Sequence, residues 1–189
     1  MDAADLTSIN EALEQGKRDD ALRLLCSLAE HGDPEAMMYL ADDSFRFGDK
    51  VLANKWRAAF DEMVSERNPT ALYIRYTQLS ANGSVKATRI ALQAAVDAGS
   101  AEAMVELARA YRWGWLKLQQ SERKYDELIR RAIENGSSEA IAESVFDKMR
   151  ERQPIPQTYI DKLESEYKTT TSSRVRDAVE ALRGKERNS

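Results

Sequence analysis

Apolar residues recur every three or four positions along most of this chain, the spacing that places side chains on one face of an α-helix. In RKYDELIRRAIENG (residues 123–136) the apolar positions are separated in this way by charged residues. VLANKWRAAFDEM (51–63) and VKATRIALQAAVDAG (85–99) show the same spacing. The pattern predicts an all-α chain of short amphipathic helices.

One segment of the chain is repeated with variations. GDPEAMMYLA (32–41) recurs as NPTALYIRY (68–76), GSAEAMVELA (99–108) and GSSEAIAESV (136–145). The anchor residues Ala36, Ala71, Ala103 and Ala140 are separated by 35, 32 and 37 residues. Repeats of this length indicate stacked helix pairs, because a single pair cannot bury its own apolar face.

Each copy also carries signals for the start and the end of a helix. The start signals are side chains that can accept a hydrogen bond from a first-turn amide, namely Asp33, Asn68, Ser100 and either Ser137 or Ser138. Pro34 and Pro69 follow at the first helical position, where the missing N–H costs nothing. The end signals are Gly48, Gly83 and Gly114.

The third copy, AMVELARAYRWG followed by ERKYDELIRRAIENGS, resembles the Sel-one-like repeat, a relative of the tetratricopeptide repeat. The resemblance covers roughly residues 32–150 and is carried there by Ala103, Leu107, Ala108, Tyr111, Gly114, Tyr125, Ala132 and Gly136. The second copy departs from the pattern at Arg75 and Tyr76, and the fourth at Ser144 and Lys148. The resemblance implies a right-handed superhelical α-solenoid of stacked antiparallel helix pairs.

This organisation predicts a single domain over residues 1–183. Residues 1–31 are expected to form an N-terminal capping hairpin that turns at Gly16. The repeats occupy 32–150, QPIPQ interrupts them, and two C-terminal capping helices are expected within 154–183. Residues 184–189 are expected to be a disordered tail.

The tetratricopeptide analogy implies a set of partner-binding positions on the concave face of the solenoid. These positions, counted from Met37, Leu72, Met104 and Ile141, include Met38, Asp42, Phe45, Arg46, Tyr73, Thr77, Arg109, Arg112, Trp113 and Phe146. Aromatic residues, methionine and arginine are enriched in the cores of protein interfaces. Such a face would suit an acidic or amphipathic helix or an extended peptide. Alternatively, several of these rings are core between repeats.

The stretch YRWGWLKLQQ (111–120) holds two of the three tryptophans of the chain. Trp113 is expected to point into the concave groove. Trp115 takes the place of the second glycine in the turn of the family pattern, and it is expected to pack onto the next hairpin with Leu116 and Leu118. On this basis Trp113→Ala and Arg109→Glu should weaken partner binding and leave the fold intact.

Composition narrows the range of partners. The 189 residues carry a net charge of -4, so no global field favours nucleic acid or an anionic membrane. No apolar run is long enough to span a bilayer, and the start MDAADLTSIN lacks the features of a secretory signal. The chain is therefore expected to be cytoplasmic and without membrane insertion. Cys26 is expected to be a small buried side chain, and His31 to cap the end of a helix.

The sequence contains little that indicates catalysis. No phosphate-binding glycine loop and no metal-ligand spacing is present, so no cofactor and no metal are expected. Two pairs of glutamates, Glu102 with Glu106 and Glu139 with Glu143, lie one helical turn apart. Such pairs could serve as acid and base, but acids in a first turn more simply interact with the helix dipole on a solvated face.

Two functions remain open at this point. The first is a non-enzymatic adaptor or scaffold that binds a peptide or protein partner in its concave groove. The alternative is a bacterial immunity protein that binds and neutralises one toxin. An adaptor should bind linear segments at micromolar strength, whereas an immunity protein should hold one folded partner far more tightly. The oligomeric state is left open.

Overall fold

The computed structural model describes residues 1, 3–42 and 49–186, and this part of the chain is helical, with no strand. Its α-helices are α1 (Ala3–Glu14), α2 (Arg18–Glu30), α3 (Pro34–Ala41), α4 (Lys50–Ser65), α5 (Pro69–Asn82), α6 (Val85–Asp97), α7 (Ala101–Trp113), α8 (Glu122–Glu134), α9 (Ser138–Arg150), α10 (Gln157–Glu166) and α11 (Ser173–Glu186). A short 3₁₀ turn, Trp115–Lys117, follows α7. The prediction of an all-α chain is confirmed. Phe45, Arg46 and Gly48 lie outside the described residues.

The chain divides into two compact units, Met1–Asn82 and Gly83–Ser189. The division falls at Gly83, one of the glycines that the sequence marks as a helix end. It therefore lies inside the predicted second repeat, in which Arg75 and Tyr76 depart from the pattern of the other copies. The units are called the N-terminal and the C-terminal unit below.

The predicted start signals act as helix caps. The backbone N–H of Ala36 donates to Asp33 Oδ1 at 2.8 Å, and that of Ala71 donates to Asn68 Oδ1 at 3.0 Å. Ser100 caps α7 in the same way. In the fourth copy Ser137 is the cap, so Ser138 becomes the first helical residue. Each cap satisfies an amide that the helix itself leaves without a partner.

The core of the N-terminal unit lies among α1 to α4 and the start of α5. Its largest buried side chains include Leu25, Trp56 and Phe60. Gly16 turns the chain between α1 and α2 with a φ of 70°, as predicted. Cys26 packs half-buried against this core, and burial raises the pKa of its thiol, which favours the protonated form.

His31 lies at the C-terminal end of α2, as the sequence predicted. Its Nδ1 lies 2.7 Å from the carbonyl oxygen of Ser27, one turn back in the helix. The carbonyls of a last helical turn lack partners within the helix, so the imidazole satisfies one of them.

In the C-terminal unit, α7 packs against α8, and α9 packs against α8, α10 and α11. A buried cluster that includes Val145, Leu163 and Val179 joins α9 to the last two helices. The QPIPQ segment separates α9 from α10, as predicted. The expectation of a disordered tail from residue 184 onward is wrong for residues 184–186, which form the last turn of α11.

The buried position of Phe60 gives a test of the core in the N-terminal unit. Phe60→Ala removes a ring that is fully buried on α4, and we expect a loss of about 3–5 kcal/mol in the free energy of unfolding. Val51→Ala, on the exposed face of the same helix, should change it by less than about 0.5 kcal/mol. Urea unfolding followed by circular dichroism measures both, and equal effects would contradict this packing.

Candidate functional site

The turn after α7 displays both tryptophans of the YRWGW stretch. Gly114 ends α7 in the left-handed conformation with a φ of 71°, and its N–H donates to the carbonyl of Ala110. Leu116 and Lys117 are also left-handed, with φ values of 56° and 57°. Residues other than glycine rarely adopt this conformation, which costs about 1–3 kcal/mol each. The turn is therefore strained.

The indoles of this turn lie on the surface. Trp113 is 58% exposed and Trp115 is 54% exposed. The prediction that Trp115 packs onto the next hairpin is wrong. Left-handed residues on both sides of Trp115, Gly114 and Leu116, reverse the backbone there, and Leu116 and Leu118 are the half-buried side chains instead.

A cleft of about 480 Å³ lies beside this turn in the C-terminal unit. Four of the residues proposed from sequence line it: Arg109, Arg112, Trp113 and Phe146. Trp115 is a further wall residue. The structure therefore brings together the proposed residues of the third and fourth repeats.

The proposed residues of the N-terminal unit have different environments. Met38 is half-buried against the core of that unit. Asp42 is exposed at the end of α3, and Thr77 is exposed on α5. The half-buried ring of Tyr73 lies 5.8 Å from the ring of Tyr76.

Asp147 on α9 is the acceptor for one group of donors in the cleft. Arg112 donates to both of its carboxylate oxygens at 2.9 Å, and Arg150 donates to Oδ1 at 2.8 Å. The hydroxyl of Tyr125 donates to Oδ2, also at 2.8 Å. The guanidinium of Arg112 in addition lies over the ring of Tyr125, 3.3 Å from its centre. The group links α7, α8 and α9.

These contacts shift the acidity of the residues involved. Burial acts to raise the pKa of Asp147, but the hydrogen bonds from Arg112 and Tyr125 hold this pKa below its ordinary value. Burial raises the pKa of Tyr125, and the hydrogen bond to Asp147 adds to the effect. Asp147 is therefore a carboxylate, and Tyr125 is a neutral donor, at neutral pH.

Glu143, also on α9, is the acceptor for the second group. Its side chain is 6% exposed. Arg109 on α7 donates to it at 2.7 Å and also to Glu139 at 2.8 Å and to Glu106 at 2.9 Å. Arg174 on α11 donates to Glu143 Oε2 at 2.8 Å. The expectation that the glutamate pairs lie on a solvated outer face is therefore wrong for Glu143.

Arg109 is consequently a structural residue. Burial acts against its charge, but the hydrogen bonds to Glu143 and Glu139 keep its pKa above the usual range. Arg109→Glu would place a carboxylate against three others and leave Glu143 without this donor. The expectation that this substitution leaves the fold intact does not agree with these contacts.

The sequence did not point to Glu143, Asp147 or Arg174 as parts of one site, whereas the tetratricopeptide analogy also placed Arg150 on the concave face. One signal for the first two was present. The pairs Arg109 with Glu143 and Arg112 with Asp147 span 34 and 35 residues, about one repeat length. Opposite charges at about this separation can therefore indicate a contact between adjacent copies. The partners are not at equivalent positions, since counting from Ala103 and Ala140 pairs Arg109 with Phe146 and Arg112 with Met149. No comparable signal identifies Arg174.

In the described residues no group of His, Cys, Asp and Glu has the geometry to hold a metal ion, and no helix has the length and apolar character to cross a bilayer. Comparison with protein families, with curated proteins and with solved structures gives no significant match. The chain is thus defined by its helical fold and by this cleft of arginines, carboxylates and indoles.

The contacts of Arg109 predict a large effect on stability. We expect Arg109→Ala to lower the free energy of unfolding by about 1–3 kcal/mol, because the buried carboxylate of Glu143 loses one of its two arginine partners. Arg130→Ala breaks an exposed pair with Glu134 on α8 and should cost less than about 0.5 kcal/mol. Urea unfolding of both variants provides the measurement, and a loss in Arg130→Ala equal to that in Arg109→Ala would contradict the difference in burial.

The lowered pKa of Asp147 predicts how the stability of the protein depends on pH. Its pKa in the folded protein is below the ordinary 3.8, so the unfolded chain binds the proton more readily. Its contribution to stability is present above about pH 4 and is lost as the pH falls through the folded value. Asp147→Asn should therefore lower stability at pH 7 and flatten the decline in stability below about pH 4. Asp161→Asn, at an exposed position of α10, is the control. If stability falls with acid as steeply in Asp147→Asn as in the wild type, Asp147 does not carry this pH dependence.

Proposed function

We propose that this protein is a non-enzymatic protein-binding module that contacts its partner through the turn bearing Trp113 and Trp115 and through the adjoining cleft. The observation that carries the proposal is the exposure of two large indoles on a strained turn. Exposed apolar side chains of this size gain free energy when a partner covers them. Tryptophan and arginine are also the residues enriched at the energetic centres of protein interfaces.

The rigidity of the surroundings supports this role. The cleft wall is held by Arg112, which is fixed by Asp147 on one side and by the ring of Tyr125 on the other. Side chains that are already ordered lose less entropy when a partner binds. A preorganised wall of this kind therefore favours recognition of a partner.

We also propose that the helix pairs are Sel-one-like repeats of an α-solenoid. The support lies in the recurring caps Asp33, Asn68, Ser100 and Ser137, each of which begins the first helix of a pair. Small-angle X-ray scattering of the purified chain tests this proposal. A solenoid predicts a scattering curve for an elongated, curved particle, and the curve of a compact sphere would contradict it.

The proposed binding surface is tested with the double variant Trp113→Ala/Trp115→Ala. The wild-type protein is tagged in its native cells, and the captured proteins are quantified by mass spectrometry. We expect the variant to keep its helical content and to lose a captured partner, with an affinity lower by about 30-fold or more, since each hot-spot side chain contributes about 2 kcal/mol. Ile90→Ala, which truncates an exposed apolar residue on α6 outside the cleft, is the matched control.

The outcomes of this capture separate the possible roles. Several partners at micromolar strength that depend on the indoles would support an adaptor. One stoichiometric folded partner bound much more tightly would support the immunity function. If no captured protein distinguishes the double variant from the wild type, the turn is not the binding surface and the proposal fails.

A further inference from the structure

We infer that the segment of the partner that enters this cleft is acidic and carries an aromatic or aliphatic side chain next to its carboxylates. This inference rests on the proposed function and adds the chemistry of the partner to it. It depends on which charged groups of the cleft are already satisfied by the protein itself and which still face solvent.

Two of the three carboxylates that line the cleft, Asp147 and Glu143, are fully engaged, and the third, Glu106, accepts a hydrogen bond from Arg109. Asp147 accepts four hydrogen bonds, two from Arg112, one from Arg150 and one from Tyr125. Glu143 accepts hydrogen bonds from Arg109 and Arg174 and is almost completely buried. A carboxylate has about four lone-pair sites, so these two have little left to offer a basic partner.

The two arginines at the rim of the cleft, Arg150 and Arg174, in contrast have N–H groups that face solvent. The side chain of Arg150 is 61% exposed and that of Arg174 is 38% exposed. Among the hydrogen bonds of the described residues, Arg150 donates only from Nη2, and Arg174 donates from Nε and Nη2. A guanidinium has five N–H donors in a fork that matches a carboxylate. The rim of the cleft is therefore a site for carboxylates.

The apolar part of the cleft is the reason to expect an aromatic or aliphatic side chain in the partner. Trp113 and Trp115 are half-exposed along the same cleft, so their rings can cover a side chain of the partner. Phe146 contributes less of its face, because the guanidinium of Arg174 lies 4.1 Å from its ring centre. A carboxylate beside an aromatic or aliphatic residue would thus meet an arginine and an indole together.

The charge around the cleft favours a short acidic segment over a nucleic acid. The chain carries a net charge of -4. The neighbouring cleft along α8 and α9 carries more acids than bases away from the rim, and its lining there includes Glu122, Asp126, Glu134 and Glu151 against Arg130 and Lys148. A polyanion that extends beyond the rim arginines would meet these carboxylates, whereas a segment with a few acidic residues would not.

The inference is tested by selecting a random-sequence peptide library on the full-length wild-type protein. We expect the enriched peptides to combine aspartate or glutamate with an aromatic or aliphatic residue. Synthetic copies should bind the Arg150→Glu variant about tenfold or more weakly, and their affinity for wild type should fall as salt is raised. A single-stranded oligonucleotide serves as the competing polyanion and should not displace them.

Arg23→Glu is the matched control for Arg150→Glu. Arg23 also pairs with an aspartate three residues earlier on an exposed helix face, and the substitution changes the net charge by the same amount. The control should bind the peptides with unchanged affinity. Circular dichroism and melting curves of both variants show whether either change disturbs the fold, and Arg150→Gln, which removes the charge without reversing it, replaces Arg150→Glu if the latter unfolds.

Failure of the inference is distinguishable from failure of the proposed function. Enriched peptides that are neutral or basic but lose affinity for Trp113→Ala/Trp115→Ala would overturn the acidic partner and leave the binding surface in place. Displacement of the peptides by the oligonucleotide would also overturn it. A selection that enriches no peptide sensitive to either variant would contradict both.

Discussion

The pairing of buried carboxylates on α9 with arginines from neighbouring helices is the constraint on which the C-terminal unit depends. Removing a charge from water costs several kcal/mol unless a partner and hydrogen bonds compensate for it. Glu143 obtains this compensation from α7 and α11, and Asp147 obtains it from α7, α8 and α9 itself. The four helices must therefore keep one arrangement for both acids to remain paired.

This constraint also shapes the surface beside it. Arginine is a residue type enriched at interfaces, but Arg109 donates four hydrogen bonds inside the unit, and Arg112 donates two to Asp147. The groups that would remain for the proposed partner are those at the edge of the network, namely Arg150, Arg174 and the two indoles. In this proposal, arginines buried in the cleft stabilise the unit, and arginines at its rim bind the partner.

The strained turn after α7 shows how much of the site local sequence could predict. Gly114 at the end of the helix follows from its tolerance of a left-handed backbone, and the exposure of Trp113 agrees with its place near the helix end. The outward position of Trp115 did not follow, because it depends on Leu116 adopting a left-handed conformation that its side chain disfavours. Backbone preferences assign a leucine to a right-handed or extended conformation, so they do not predict a left-handed Leu116.

The sequence alone determined the helices, their caps and the turns between them, because these depend on residues within a few positions of each other. The tetratricopeptide analogy also selected four residues of α7 and α9 that line one cleft, namely Arg109, Arg112, Trp113 and Phe146. Only the tertiary structure decided that Glu143 is buried, that Arg174 from the last helix reaches it, and that Arg109 is internal. Contacts between distant segments depend on how whole helices pack, and no local pattern records which of two charged faces meets another helix and which meets water.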